Sequence, residues 1–363
     1  MRAPSRPLKE RTFHNILLWM PNWIGDVIFV LPTIHSLHRR LPHAKITTVV
    51  KAPSDELLTG HPAIDTVIKI PYGKKSGILR KIRFARSLRG YNFDLGVVFP
   101  NSFRSAFMLY LSGTETRLGY NTEGRGFLLT HSLCASKASK TEYRADYFFK
   151  ILSLLELPGM EARLQPYICN DADRSVGEEF SRMKIRAQDF VVAIHPGGSK
   201  APRTWHVERF GILCQKLIKE YKAKILLLGS ESDAGIIEQI MQFCPPNTVF
   251  SLRDMDLKQS AAAIKKSKLF IGNDSGMMHL ASITGTPLVG IFGPGHPATT
   301  GPFIESRKQA IVTKSYPCSP CKQKFFKECK PSIHNKPYCI EDISVKDVIG
   351  GVEKVMGGAI GTE

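Results

Sequence analysis

The chain has 363 residues, and its 50 Lys and Arg outnumber its 32 Asp and Glu, giving a formal net charge of +18. A hydrophobic content of 43% is typical of globular proteins, and the length is sufficient for two domains with separate cores. No apolar run is long enough to span a bilayer, because Pro21 and Asp26 interrupt the longest one, residues 16–31. No cleavage site follows that run, so the sequence predicts a cytoplasmic protein without a signal peptide.

The excess of positive charge favours an anionic partner, such as nucleic acid, an anionic membrane or an anionic substrate. A solvated basic surface is the alternative. The charge is densest in "KKSGILRKIRFARSLR", residues 74–89. Its helical period predicts a basic outer face and an apolar inner face. The residues expected to pack inward are Ile78, Leu79, Ile82, Phe84 and Leu88.

Short apolar strands alternate with helix-period segments in the first part of the chain. The predicted strands are "NILLWM" (15–20), "KITTVV" (45–50), "TVIKI" (66–70) and "DLGVVF" (94–99). The predicted helices cover residues 27–40, 54–58, 76–90 and 102–113. This alternation is typical of a parallel sheet with crossover helices.

The pattern restarts after a polar stretch at residues 166–186. The predicted strands are "DFVVAIH" (189–195), "AKILLLG" (223–229), "TVFSL" (248–252), "KLFIGN" (268–273) and "PLVGIFG" (287–293), with helices between them. We therefore predict an α/β protein with Rossmann-like βα domains at residues 1–175 and 185–343. A helix at residues 344–363 closes the chain.

Loops that follow strands are the places to look for chemistry, because open parallel sheets bind ligands beyond the carboxyl ends of their strands. Asp26 follows the first strand and Gly25, at the start of a helix. Helix starts favour negative charge, so Asp26 has a structural interpretation as a helix-terminal acid. A functional role is the alternative.

The loop "HPGGSKAPRTW", residues 195–205, combines flexible backbone with cations. Gly197, Gly198 and Ser199 allow backbone N–H groups to approach a phosphate, and Lys200 and Arg203 would neutralise it. The loop lacks the dinucleotide and P-loop fingerprints. A plain βα turn is the alternative.

Two later loops carry further candidates. Glu231 in "LLGSESD" lies where an acid often meets ribose hydroxyls in nucleotide-binding folds, although it also suits a helix start. Asp274, Ser275 and Gly276 follow a strand and open a helix, which presents N–H groups to an anion. His279 lies on the same helix, with a structural role as its alternative.

Four stretches of the chain resemble glycosyltransferase family 9, the heptosyltransferases of bacterial lipopolysaccharide synthesis. They are "IGDVIFVLPTIHSL", "NSFRSAFMLYLSGTETRLGY", "HPGGSKAPRTWHVERF" and "NDSGMMHLASITGTPLVGIFGP". The resemblance runs from about Asn15 to the last helix, and "PNWIGD" resembles the heptosyltransferase II branch. It implies a GT-B fold, in which two Rossmann-like domains face a central cleft and the last helix packs back on the first domain.

The resemblance also implies a reaction. The enzyme would move L-glycero-D-manno-heptose from ADP-heptose, bound by the second domain, to a lipid A–Kdo–heptose acceptor, bound by the first. The transfer would invert the anomeric centre, need no cofactor or catalytic metal, and add the second heptose of the inner core. An anionic lipid acceptor implies peripheral association with the inner face of the inner membrane. The alternatives are a sugar-nucleotide epimerase and a nucleic-acid-binding protein, although no nucleic-acid motif is present.

Individual roles follow from the same resemblance. Asp26 corresponds to the general base, and Glu231 to the ribose contact. Arg203 stands where lysine usually meets the donor phosphates. The residues implied at the diphosphate and sugar are Asp274, Ser275, Gly276 and His279. Those implied on the acceptor side are Asn101, Ser102 and Arg104.

A cluster of cysteines precedes the last helix: Cys318, Cys321, Cys329 and Cys339. The first two form a C-x2-C pair, which is a common half of a structural zinc site. Reduced thiols and redox-sensitive disulfides are the alternatives. A similar cysteine-rich segment occurs in part of the family.

Overall fold

The structure is a computed structural model that describes residues 7–73, 75–136, 141–156, 170–318, 321, 323–327 and 329–360. Its contacts divide the chain into two compact units, Met1–Gln165 and Pro166–Glu363. Each unit contains one six-stranded parallel sheet. Lys74 of the basic segment lies outside the described residues.

The first unit contains β1 to β6. These strands are Asn15–Trp19, Lys45–Val50, Thr66–Lys69, Leu95–Val98, Thr116–Asn121 and His131–Cys134. The helices α1 to α5 are Ile24–Arg40, Asp55–Leu58, Ile78–Ser87, Phe103–Leu111 and Arg144–Phe149. The strand order across the sheet is β3-β2-β1-β4-β5-β6.

The second unit contains β7 to β12. These strands are Val191–His195, Lys224–Leu228, Val249–Leu252, Leu269–Asn273, Leu288–Phe292 and Gln309–Thr313. The helices α6 to α13 are Asn170–Arg182, Val207–Tyr221, Ala234–Gln242, Leu257–Lys266, Gly276–Thr284, Pro297–Thr300, Tyr338–Glu341 and Val345–Ile360. The order across the sheet is β12-β11-β10-β7-β8-β9.

Both sheets have the Rossmann strand order, with a reversal at their centre. The reversal lies between β1 and β4 in the first unit and between β7 and β10 in the second, and both pairs are hydrogen-bonded neighbours. Strands β7, β10 and β11 are buried along their whole length. Helices cover both faces of such a sheet, which explains why these strands read as continuous apolar runs.

Several predicted boundaries differ from the structure. Helix α1 begins at Ile24, three residues before the predicted start, so Asp26 lies inside its first turn. Residues 170–182 form α6, where we had predicted a polar boundary. This helix packs on α9, and Lys266 Nζ lies 3.0 Å from a carboxylate oxygen of Asp173.

The predicted inner face of the basic segment is confirmed in part, because Leu88 belongs to a hydrophobic core cluster of the first unit and Ile82 and Phe84 pack against it. The start of helix α3 differs. Ile78 and Leu79 are 54% and 77% exposed, while Lys81 is only 7% exposed. The Lys81 amine lies 5.9 Å from the ring centroid of Tyr72, which gives the buried cation an aromatic contact. The prediction that Ile78 and Leu79 pack inward was therefore wrong.

The closing helix α13 packs against β11, β12 and α7. Val348, Val352 and Val355 belong to the hydrophobic core of the second unit. These contacts place the helix in the second unit. Its packing on the first domain, which the resemblance implies, stays a prediction. Among the described residues, no helix is long and apolar enough to cross a membrane.

Candidate active site

The loop after β7 is held at both ends by Asn273, the buried last residue of β10. Its side-chain amide donates to the backbone oxygens of Pro196, at 2.7 Å, and Gly197, at 3.1 Å. Its Oδ1 accepts from the backbone N–H of Trp205 at 3.0 Å. One buried side chain thus fixes the entry and the exit of the loop, so the loop between them has a defined shape without a ligand.

Gly197 is required at the start of this loop. A Cβ at this position would lie 2.3 Å from Oδ1 of Asp233, a separation too short for any side chain. Asp233 cannot easily move away, because its carboxylate accepts from both the backbone and the hydroxyl of Ser230. Gly198, Ser199 and Lys200 are exposed beyond it.

Arg203 lies at the end of the loop and faces Asp274. Its Nη1 is 3.4 Å from Asp274 Oδ2, and its Nη2 donates to Gln323 Oε1 at 2.7 Å. Among the described residues, its Nε has no hydrogen-bond partner. Because a guanidinium has five N–H donors, Arg203 retains donors for an anion.

Asp274 is a buried carboxylate, 6% exposed. Burial raises its pKa, and the neighbouring Arg203 opposes that shift. On its other side is Gly295, where a Cβ would come within 2.2 Å of the Asp274 Oδ2 atom. Arg203 and the backbone at Gly295 therefore fix the position of this acid.

The start of α10 adds a second electropositive group. Ser275 is its N-cap and Gly276 its first residue, so the unpaired N–H groups of the first turn lie beside Asp274. The Ser275 hydroxyl is 3.2 Å from Nδ1 of His195. A helix N-terminus next to an arginine is suited to bind a diphosphate.

Two buried histidines border this site without adding charge. Burial lowers the pKa of His195 and of His279 to about 4. For His279 the positive charge of Arg203 contributes to this shift after burial. Both imidazoles are therefore neutral near pH 7, and each can donate one hydrogen bond and accept another.

We expect the protein to lose stability as the pH falls from 6.5 towards 4. Burial lowers the pKa of His61, His195 and His279 from 6.5 to about 4 in the folded state. As the pH falls, the histidines of the unfolded chain therefore take up protons before those of the folded protein do. Their contribution to the free energy of unfolding is fully present above pH 6.5 and declines below it. Each histidine accounts for about 3 kcal/mol of this loss.

The measurement is urea unfolding at a series of pH values. His61→Asn, a substitution in the first unit, should show a shallower decline than the wild type. A free energy of unfolding that stays constant between pH 6.5 and 5 would contradict the prediction.

Glu231 follows β8 in a 3-10 turn, Glu231–Asp233. Its side chain is 81% exposed, and a carboxylate oxygen lies 3.7 Å from Nε of Arg253. Because β8 is the direct neighbour of β7, Glu231 lies at the same edge of the sheet as the loop after β7. The predicted ribose contact is compatible with this position.

In the first unit, Asp26 and the predicted acceptor residues follow paired strands. Asp26 is the third residue of α1, after β1, and is half-buried. Asn101, Ser102 and Arg104 follow β4, which pairs with β1 through Trp19↔Val98 and the preceding residues. All four residues thus lie near the switch point of the first sheet, where ligands of such sheets bind.

The acceptor stretch is held by side-chain contacts. The Asn101 amide donates to the Tyr147 hydroxyl at 2.8 Å, and Ser102 caps α4 by accepting from the backbone N–H of Ser105. Arg104 is exposed. Burial raises the pKa of Tyr72, and the positive charge of Arg104 opposes that shift. Asn101 and Ser102 therefore have structural contacts of their own, whereas Arg104 presents its charge at the surface.

Arg125 has no exposed surface and holds the backbone of this stretch by hydrogen bonds. It donates to the backbone oxygens of Tyr120 at 2.8 Å, Ser102 at 3.0 Å and Pro100. Burial lowers its pKa to about 10, so it remains charged near pH 7. The buried cation fixes the backbone of the predicted acceptor stretch.

Comparison with known proteins identifies the family of the chain. The model of glycosyltransferase family 9 (heptosyltransferase) matches residues 81–330. The chain belongs to glycosyltransferase family 9. This confirms the resemblance seen in the sequence and makes the protein a glycosyltransferase.

Individual relatives agree with the family. Lipooligosaccharide heptosyltransferase 2 of Haemophilus ducreyi is 26% identical over 316 residues, which cover 82% of this chain and 88% of that protein. The structure of E. coli ADP-heptose LPS heptosyltransferase II has a TM-score of 0.78 at 22% identity, covering 95% of this chain and 99% of that one. The iron-containing dodecameric glycosyltransferase TibC of enterotoxigenic E. coli H10407 has a TM-score of 0.58 at 12% identity, covering 96% and 78%. These likenesses confirm the GT-B fold class.

Three of the late cysteines of the glycosyltransferase lie near enough to Cys339 to act on its pKa. Burial, and then the thiols of Cys318, Cys321 and Cys329, raise the pKa of Cys339 to about 11. Cys321 Sγ accepts a hydrogen bond from the backbone N–H of Gln323 at 3.1 Å. A cation held among these thiols would stabilise their deprotonated forms.

A second group near the cysteines has metal-ligand chemistry. Ligand atoms of His206, His334 and Glu341 lie within 4.8 Å of one another. The Glu341 oxygens, however, also accept from the Ser332 hydroxyl at 2.7 Å and from Arg209 at 3.3 Å. This group is an ion-paired network that ties the start of α7 to α12.

Several site residues of the glycosyltransferase escaped the sequence analysis. Asn273 had a usable signal, because it is a polar residue at the end of an apolar strand. Gly295 had a weaker one, as a glycine in a loop after a strand. His195, Asp233 and Gln323 gave none, since each acts through a contact that only the folded chain creates.

Proposed function

We propose that this glycosyltransferase transfers L-glycero-D-manno-heptose from ADP-heptose to the inner core of lipopolysaccharide, adding the second heptose with inversion. The observation that carries the proposal is the pairing of Arg203 with Asp274 beside the N-terminus of α10. Such a site suits the diphosphate of a nucleotide sugar. The names of the Haemophilus ducreyi and E. coli relatives support heptose as the sugar, and that of the E. coli enzyme supports ADP-heptose.

The donor half of the reaction needs stabilisation of a leaving diphosphate. As the glycosidic bond breaks, negative charge grows on the ADP oxygen. Arg203 and the N–H groups after Ser275 supply fixed positive charge there, so the proposal assigns no catalytic metal. His279 is neutral and is assigned a hydrogen bond to the donor.

The acceptor half needs a base. The attacking hydroxyl must lose a proton as it bonds to the anomeric carbon, and a carboxylate within hydrogen-bond reach can take it. The proposal assigns this role to Asp26, and acceptor binding to Asn101, Ser102 and Arg104. A single displacement of this kind inverts the anomeric centre.

The deciding experiment incubates the purified protein with ADP-heptose and defined acceptors that carry no heptose or one heptose on Kdo–lipid A. Mass spectrometry should show one added heptose on the acceptor that already carries one. GDP-heptose and ADP-glucose serve as donor controls. Isomerisation of the donor without acceptor would instead indicate an epimerase, and addition only to the heptose-free acceptor would contradict second-heptose specificity.

The proposal includes binding to the anionic inner face of the cytoplasmic membrane through α3 and the start of α4. Leu79 is 77% exposed on α3, and α3 packs on α4, where Phe103 is 40% exposed beside Arg104. The ring of Phe103 lies 6.0 Å from that of Phe127, which is 74% exposed. Exposed apolar side chains among arginines are typical of surfaces that bind anionic bilayers.

We expect the triple variant Arg80→Gln, Arg83→Gln and Arg86→Gln to bind anionic vesicles less than the wild type does. Each lost charge removes about 1 kcal/mol of attraction. Flotation with vesicles containing phosphatidylglycerol measures the bound fraction at low salt and at high salt. Lys81 is left unchanged because it is buried.

The matched control removes the same charge from the second unit, at the exposed residues Lys216, Lys219 and Lys265. If both triple variants bind vesicles equally, net charge alone governs the attraction and the assigned surface is wrong.

The proposal also includes a structural zinc ion held by Cys318, Cys321, Cys329 and Cys339. The effect of the other three thiols on the pKa of Cys339 fits this donor set. Protein purified without chelator should contain stoichiometric metal, and Cys329→Ser should contain much less. Elemental analysis should cover iron as well, because TibC is iron-containing. Metal-free protein in which the thiols of these four cysteines are all titratable would contradict the proposal.

A further inference from the structure

The chain between Cys321 and Glu341 contacts the loop after β7 at several points. We call its described residues, 321, 323–327 and 329–341, the strap. Gln323 of the strap accepts from Arg203, and the ring centroid of Phe325 lies 5.9 Å from the Lys200 amine. Both predicted phosphate-binding cations therefore touch the strap, about 120 residues further along the chain.

Lys336 of the strap holds the backbone of the same loop. Its amine donates to the carbonyl oxygens of Ala201, at 3.3 Å, and Thr204, at 2.8 Å, and to the Thr204 hydroxyl. Ala201 is the first residue of the 3-10 turn Ala201–Arg203, and Thr204 directly follows this turn. The turn is too short to be rigid by itself, so Lys336 fixes the backbone from which the guanidinium extends.

Gln323 acts on the guanidinium itself. Without a second partner, Arg203 would be drawn into a two-bond pair with Asp274, the geometry that arginine and carboxylate prefer. Instead one nitrogen is 3.4 Å from Asp274, while the other makes the shorter contact of 2.7 Å to Gln323. A neutral amide oxygen orients the cation without neutralising it, so its charge remains effective towards phosphate.

We propose that the strap positions the loop after β7, and that Gln323 is the positioning residue that keeps Arg203 from closing onto Asp274. This inference rests on the proposed function, in which Arg203 binds the diphosphate of the donor. The proposal assigns Gln323 no contact with the donor. Its effect on donor binding should therefore pass entirely through Arg203.

A double-mutant cycle tests this coupling, with ADP affinity measured by titration calorimetry. Gln323→Ala should weaken ADP binding about tenfold, the scale of one hydrogen bond to a charged group. In the Arg203→Ala background, the same substitution should have no further effect. Ile333→Ala is the matched control, because Ile333 belongs to the strap and is 93% exposed.

A second variant separates positioning from support of the fold. Gln323→Glu keeps the size and the acceptor atoms but would neutralise Arg203, so it should weaken ADP binding at least as much as alanine does. Melting temperatures of both variants should match that of the wild type. Equal losses in both backgrounds of the cycle, or wild-type affinity of Gln323→Glu, would overturn the inference. Failure of the wild type to bind ADP would overturn the proposed function as well.

Discussion

Replacing Asp26 with asparagine should slow heptose transfer by about two to four orders of magnitude, the usual scale of a lost general base. Asparagine has the size of aspartate but cannot accept the proton of the attacking hydroxyl. The rate should be measured with saturating ADP-heptose and acceptor. ADP affinity should stay unchanged, because the loop after β7, to which we assign ADP binding, belongs to the second unit.

Stability is the control for this variant. Asp26 is the third residue of α1, whose N-cap is Trp23, so one part of its structural contribution is a charge near the helix N-terminus. Losing that charge costs about 0.3–1 kcal/mol. A folded Asp26→Asn protein with near-normal turnover would show that the acid serves only the helix.

Replacing Arg203 with alanine should weaken ADP binding and slow transfer, each by about a hundredfold. The diphosphate loses its main cation, and the buried Asp274, no longer paired, then repels it. Arg203→Lys should keep most of the activity, since the charge remains, although it loses the fork that contacts Asp274 and Gln323 together. Calorimetry with ADP and initial rates with ADP-heptose measure the two effects.

Lys200→Ala is the comparison for Arg203→Ala. Lys200 is exposed and touches the ring of Phe325, so its removal should have a smaller effect on both measurements. If Lys200→Ala weakens ADP binding while Arg203→Ala leaves it unchanged, the phosphate ligand is Lys200 and the role assigned to Arg203 is wrong.

The central strands of both sheets were predictable because burial on both faces gives them unbroken apolar runs. Strands β5, β6 and β12 were not predicted. The "HSLC" of β6 alternates half-buried and exposed residues at the edge of its sheet, and β12 is likewise an edge strand. "TRLGYN" of β5 contains a glycine and polar ends, which weakened its strand pattern.

The candidate site was predictable where one loop carries its own chemistry. Asp274, Ser275 and Gly276 are adjacent in the sequence, and their position after an apolar strand indicates an anion site. The contact between Arg203 and Gln323 joins residues that are 120 positions apart, so no local pattern contains it. The exposure of Leu79 and the burial of Lys81 could not be predicted for a related reason. The helical period of a sequence predicts which residues share a face of the helix, but not which part of the protein packs on that face.

The separate strand sets of the two sheets have a consequence for synthesis on the ribosome. Among the residues that the structure describes, the strands of the first sheet all lie between residues 15 and 134 and pair with one another. The first sheet is therefore complete in the nascent chain before any strand of the second has been translated. Domains of this kind fold as units, the N-terminal one first. The half that carries Asp26 can acquire its core while the half that carries Arg203 is still being made.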